Sequence, residues 1–163
     1  MGAKYYINQK FSIRDRFTVK DEEMNDVFYA EGKFLTIGKK IRLHAMDGDE
    51  VLYIEEKVWS FLSNYKIYIG NQLLSEVKQE LAFFKKKYNI VTPNWHIRGD
   101  VWSMNFDIVE DSEPIATIRK KWFSFMDAYE IEVFKEDYLE LILGVVIVID
   151  ADLEKDAQAA ANS

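Results

Sequence analysis

The residues best suited to chemistry are two histidines, a recurring serine, a few acidic pairs and three basic clusters. His44 shares a predicted strand face with Lys40 and Arg42, and His96 stands between Trp95 and Ile97. Neither is spaced from a nucleophile or a second ligand in a way that builds a site, so both read as surface residues. Ser12, Ser60, Ser103 and Ser124 recur because a bend recurs, and they read as hydroxyls bonding local backbone. Asp47-Gly48-Asp49-Glu50 lacks the spacing and closing glutamate of a calcium loop and reads as a hairpin turn. Asp150 and Asp152 directly follow a long apolar run. They are either a carboxylate pair at the mouth of the fold or solvated residues where the run ends, and the second reading is preferred. No catalytic residue, metal site or cofactor is expected.

The basic clusters are Lys39-Lys40-Ile41-Arg42, Lys85-Lys86-Lys87 and Arg119-Lys120-Lys121. Phosphate recognition needs several converging cations. Lys39, Lys40 and Arg42 form the candidate site for an anionic headgroup, because strand periodicity sets Lys40 and Arg42 side by side. The competing reading is ordinary solubilising charge.

These residues sit on a chain of 163 residues, 48% apolar and 15% aromatic, which fits one domain with a large core. Its net charge of −7 argues against nucleic-acid binding, which needs a basic footprint. Cysteine is absent, which removes disulfides, thiolate metal sites and cysteine nucleophiles. The start, Met-Gly-Ala-Lys-Tyr-Tyr, has no apolar signal core, and the run from Leu141 is about half the length that a membrane span needs. The expectation is a soluble cytoplasmic protein, peripheral at the inner membrane surface if it engages lipid.

One pattern recurs six times, with second positions at 12, 36, 60, 83, 103 and 124. Examples are Trp59-Ser60-Phe61…Tyr65-Lys66-Ile67 and Phe123-Ser124-Phe125…Tyr129-Glu130-Ile131. That interval fits two strands and two short connections. Alternation marks the second arms, as in Ile41, Leu43 and Ala45 against Lys40, Arg42 and His44. On the first arms Leu52, Ile54 and Val58 oppose Tyr53, Glu55 and Lys57. Asp47-Gly48, Gly70-Asn71 and Glu110-Asp111-Ser112-Glu113-Pro114 supply turns between copies. Six hairpins give twelve antiparallel strands, and closing them removes exposed edges.

Twelve tilted strands make a barrel of about 12 Å radius, wide enough for one helix inside. Leu141 to Ile149 has no polar side chain, so it must be enclosed on all sides. Val145-Val146-Ile147-Val148-Ile149 suits a buried strand equally well by local sequence; the vacant interior decides for a helix. The reading is a single domain, residues 1–153. It is mainly β, a closed twelve-stranded antiparallel barrel with a buried C-terminal hydrophobic helix over 137–153 through its centre. Asp137 is the expected N-cap, Gly144 a close approach to the wall, and 154–163 a frayed tail.

Lys-Phe-Leu-Thr-Ile-Gly-Lys-Lys-Ile-Arg-Leu, Lys-Lys-Trp-Phe-Ser-Phe-Met-Asp-Ala-Tyr-Glu-Ile and Leu-Gly-Val-Val-Ile-Val-Ile-Asp-Ala resemble the LURP-one-related family in its bacterial YxjI-like branch. So does the start, Tyr-Tyr-Ile-Asn-Gln-Lys-Phe-Ser-Ile-Arg-Asp-Arg-Phe. The match covers residues 4 to about 153 and marks no catalytic site. The resemblance implies the fold of tubby C-terminal domains and phospholipid scramblases, a twelve-stranded barrel around a helix. Tubby domains bind phosphoinositide headgroups through surface basic residues, and this carries over by analogy of fold. Two function classes follow. One is a non-enzymatic binding module for anionic, phosphoinositide-like headgroups or a protein partner. The other is scramblase-like lipid transfer, or an enzyme whose site is not recognised.

Overall fold

The computed structural model describes residues 2–8, 16–33, 38–83, 85–123 and 127–162, except for the side chain of Lys33. In chain order the strands are β1 (Ala3–Asn8), β2 (Arg16–Lys20), β3 (Asp26–Lys33), β4 (Lys40–Ala45), β5 (Glu50–Glu56) and β6 (Asn64–Ile69). They continue with β7 (Gln72–Glu80), β8 (Lys87–Ile90), β9 (Trp95–Asp100), β10 (Asn105–Glu110), β11 (Glu113–Trp122) and β12 (Asp127–Val133). A 3-10 turn, Glu136–Tyr138, leads into α1, Leu139–Ala161.

Each strand pairs antiparallel with the next, and β12 pairs with β1, closing the barrel. Ala3 faces Val133 and Ile7 faces Tyr129 across that closing pair. The period of two sends Ile41, Leu43, Leu52, Ile54 and Ile67 fully inside, while Lys40 and Arg42 stay exposed outside. The polar turns form as their residues require. Gly48 (φ +99°) donates its N–H to Ala45 O at 2.9 Å, and Asp47 accepts from Asp49 N at 3.0 Å.

Antiparallel order puts the connections β1–β2, β3–β4, β5–β6, β7–β8, β9–β10 and β11–β12 at one mouth, called here the near mouth. The second arm of each repeat copy is a strand as expected, such as residues 65–67 in β6, whereas the described first arms, such as residues 59–61, fall in these connections. Val58 is an example: β5 ends at Glu56, and Val58 is half-exposed beyond it instead of pointing inward. Ser103 Oγ bonds Asp100 O at 3.4 Å within its bend. The copies at Phe11-Ser12-Ile13 and at Ser124-Phe125 lie outside the described residues.

Helix α1 threads the interior from the far mouth to the near one. Leu141 through Leu153 are all buried, on every face of the helix. Every strand is already paired on both sides, so no edge remains for a thirteenth to join. A segment inside such a barrel must satisfy its own backbone, so the β-branched run takes the helix. A Cβ on Gly144 would lie 3.0 Å from Leu52 Cδ1 and 3.6 Å from Ile67 Cδ1, the close approach expected.

Two boundaries differ from expectation. The residue before α1 is Tyr138 rather than Asp137, and it makes no side-chain cap. The chain leaves β12 still bonded from Phe134 N to Ile115 O, then tightens into the 3-10 turn that swings it over the mouth. At the other end the helix continues to Ala161 instead of fraying from residue 154. Ala157, Ala159, Ala160 and Ala161 have the highest helix propensity, and Lys155 and Asp156 are tied to the barrel by ion pairs.

Gly144→Arg would place an unpaired cation against Leu52 and Ile67, and removing Asp137 to Leu153 would empty the barrel. Each buried aliphatic side chain contributes about 1.5–3 kcal/mol, against a typical net stability of about 5–15 kcal/mol. Circular dichroism of either chain is expected to show no cooperative melt. A melt near the wild type would mean that the helix is not the core.

Candidate functional site

Where α1 leaves the near mouth, its apolar run gives way to charge while still enclosed. Asp152 is fully buried and Asp150 nearly so, which corrects the reading of the pair as solvated. Asp152 Oδ1 accepts from Tyr65 OH at 3.1 Å, and its Oδ2 from Tyr88 OH at 2.5 Å. Lys86 Nζ lies 2.8 Å from Asp152 and also pairs with Asp156. Lys155 Nζ lies 3.3 Å from Asp152, 2.8 Å from Glu56 and 3.1 Å from Ser63 Oγ. Glu56 in turn accepts from Lys39 N at 3.2 Å, with Lys39 Nζ at 3.8 Å. Three lysines and three carboxylates alternate, so the cluster is balanced in charge.

The electrostatics follow from that balance. Burial alone would raise the pKa of Asp152. The charge of Lys86 and hydrogen bonds from Lys86, Ser63 and Tyr88 outweigh it, leaving the carboxyl at about 2. Burial, then the Asp152 charge, pushes the Tyr65 and Tyr88 hydroxyls far above their ordinary value. Burial would lower Lys155, but its bond to Glu56 and the charge of Asp152 hold it above normal. Burial and the neighbouring Lys155 lower Lys39. The tyrosines thus stay protonated and Asp152 ionised and engaged by donors. Such an arrangement locks a helix in place; it does not activate a nucleophile.

Beside this network a pocket of about 210 Å³ opens between the helix exit and the β9–β10 connection. Trp102, Met104, Lys120, Asp150 and Glu154 are among its lining residues, and Tyr129 OH donates to Asp150 at 3.2 Å. Among the described residues, no three His, Asp or Glu side chains are placed to hold a metal. A family model described as LURP-one-related matches residues 3–150. The chain belongs to the LURP-one-related family. It is 31% identical over 152 residues to the uncharacterized protein YxjI of Bacillus subtilis (strain 168), covering 93% of this chain and 94% of that one. An X-ray structure of a protein from Arabidopsis thaliana matches with TM-score 0.65, covering 92% of this chain and 91% of that one. At 17% identity that likeness shows the fold alone, and it fits the expected tubby-like barrel.

In this LURP-one-related chain the residues singled out by sequence scatter. Lys39 has a buried side chain, committed to Glu56 at the near mouth. Lys40 and Arg42 lie on the outer face of β4, with Arg42 Nε 2.9 Å from Glu50 and its guanidinium 4.8 Å from the Tyr53 ring centroid. His44 stacks on Tyr29 at 4.8 Å and places Nε2 3.4 Å from Glu31, while His96 is exposed. Of the other basic clusters, Lys86 is drawn into the network and Arg119 bonds Asp107 at 2.8 Å. Among the described residues, no helix is long and apolar enough to cross a membrane.

Asp152→Asn would leave Lys86 and Lys155 facing an uncharged amide, at a cost of roughly 3 kcal/mol at neutral pH. Because the folded pKa is depressed from 3.8, the stability that Asp152 supplies is full above about pH 4 and lost as pH falls towards 2. Urea melts across this range are expected to show that loss, about 2 kcal/mol, in the wild type and not in Asp152→Asn.

Proposed function

We propose that this protein is a non-enzymatic binding module that engages anionic, phosphoinositide-like headgroups on the outside of the barrel. The observation that carries this reading is the setting of Arg42. It is an exposed guanidinium held on two sides, by Glu50 and by the Tyr53 ring, with exposed Lys40 two residues away on the same face. A fixed fork beside a point charge suits a phosphate better than two mobile lysines. Arg16 extends the strip, 4.1 Å above the Tyr29 ring on β3.

The filled interior supports a role on the outside. Helix α1 takes the space that a carrier would give to an internal ligand. The buried carboxylates and tyrosines are engaged by each other and by lysines, which supports a module without turnover.

The protein is expected to sediment with vesicles containing phosphoinositide at low salt, and less so as salt is added. Lys40→Glu with Arg42→Glu is expected to abolish the preference for phosphoinositide over phosphatidylglycerol vesicles. Equal binding by wild type and variant would remove both residues from the site. A broad esterase, phosphatase and nuclease screen is expected to show no turnover; activity lost on a single His or Asp substitution would overturn the non-enzymatic reading.

A further inference from the structure

The two mouths of the barrel differ in kind. At the far mouth the connections are acidic, with Glu22, Glu23, Asp47, Asp49, Asp111 and Glu136 all exposed. Apolar side chains there, Met46, Ile69, Leu73, Val91 and Phe134, are 41–52% exposed. At the near mouth Trp59 is 95% exposed, Phe61 96%, Phe83 93%, Leu81 80% and Trp122 69%. Trp102 adds a further 55%. These side chains come from four separate connections or strand ends, so they stand as tips around a ring rather than as one flat patch.

Folding does not call for them. They lie outside the buried core cluster, with the Trp102 ring centroid also 5.6 Å from Lys86 Nζ, and exposed aromatics on this scale mark a surface that meets something apolar. Lysines accompany them. Lys120 Nζ lies 5.0 Å from the Trp122 ring centroid, and Lys57, Lys85, Lys87 and Lys121 are exposed on the same rim. Glu80, Asp100, Asp127 and Glu154 bring that rim close to neutral. The net charge of −7 therefore resides mainly at the far mouth, and the molecule is polarised along the barrel axis. A negative surface draws such a body in with its aromatic end first. Beyond Asp156 the emerging helix reads Ala157-Gln158-Ala159-Ala160-Ala161, without a charged side chain.

The geometry points to the near mouth as a bilayer-docking surface, its aromatic tips seated at the headgroup–acyl boundary of an anionic membrane and its lysines at the phosphates. Trp at this depth keeps an apolar body in lipid and a polar edge in water. The surface adjoins the strip on β4 at Lys40, the first residue of that strand, but its aromatic tips come from other connections and strand ends. The proposal takes only its choice of occupant from the lipid reading above, and it stands if Lys40 and Arg42 bind nothing.

The tryptophans provide the test. The chain has four, and Trp95 is fully buried at the far mouth while the other three are at the near one. The full chain is mixed with phosphatidylcholine–phosphatidylglycerol vesicles, with and without acyl-brominated phosphatidylcholine. Wild-type emission is expected to shift to the blue and to be quenched by the brominated lipid. A chain with Trp59, Trp102 and Trp122 replaced by Phe is expected to sediment with vesicles while its remaining Trp95 is not quenched. The triple variant Trp59→Ser, Phe61→Ser, Phe83→Ser is expected to keep the wild-type melt and to lose vesicle partition by about tenfold or more. Lys40→Glu with Arg42→Glu is expected to keep the quenching, which separates this surface from the β4 strip. Absence of quenching in the wild type overturns the proposal, as does partition of the triple variant equal to wild type. A wild-type dimer in light scattering that the triple variant dissociates, without quenching, overturns it in favour of contact between copies.

Discussion

Twelve strands enclose a volume that their own side chains cannot fill, and the rest of the structure answers to that fact. With the barrel closed there is no edge for another strand to join, and the apolar interior offers an irregular segment no hydrogen-bond partners. Only a helix satisfies its backbone internally, so a run rich in valine and isoleucine adopts a state that its local propensity does not favour. Tertiary context outweighs the small per-residue preference because many buried side chains share the gain. Gly144 supplies the slack, letting Leu52 and Ile67 approach where a side chain would hold them off.

A helix through a barrel also creates two openings, and each is sealed by different chemistry. At the far mouth Trp95 packs edge-on against Tyr138, with centroids 5.3 Å apart. At the near mouth the seal is ionic. Apolar packing alone fixes the axial position of a uniformly greasy helix poorly, since a slide by one turn exchanges one aliphatic for another. Asp152 removes that freedom: any slide would part it from Tyr65, Tyr88 and Lys86 together and leave a buried carboxylate unpaired. The network thus specifies register together with the close fit at Gly144.

This explains which parts were legible in the sequence. Periods of two and a repeat of hairpin length are local signals, and they led to strand number, closure and the central helix. Partners of Asp152 lie 64 and 87 residues away at Tyr88 and Tyr65, a relation that spacing does not carry. Lys86 sits between two other lysines and has the look of solvent-facing charge, though only its neighbours face solvent. Lys39 misleads in the same way beside Lys40, because the alternation that exposes one turns the other towards Glu56. The recurring pattern of an aromatic or apolar residue, a small or hydroxyl residue and an apolar residue was visible, but the place of its first arm was not. Periodicity reports that a residue is apolar, whereas only topology tells that β5 has ended before Trp59.

That last distinction bears on where function lies. Inward-facing strand residues and helix residues face each other and are consumed by folding; their chemistry is accounted for inside the barrel. The connections are under no such demand. At the far mouth they carry the turn residues and charges that a solvated loop calls for. At the near mouth the same topological positions hold Trp59, Phe61, Phe83 and Trp102, which cost solubility and lie outside the buried core cluster. Two ends built on one backbone plan differ in charge and in the size of their exposed apolar side chains, a difference that closing the barrel does not require. The end that departs from what a solvated loop needs is the end we propose as the docking surface.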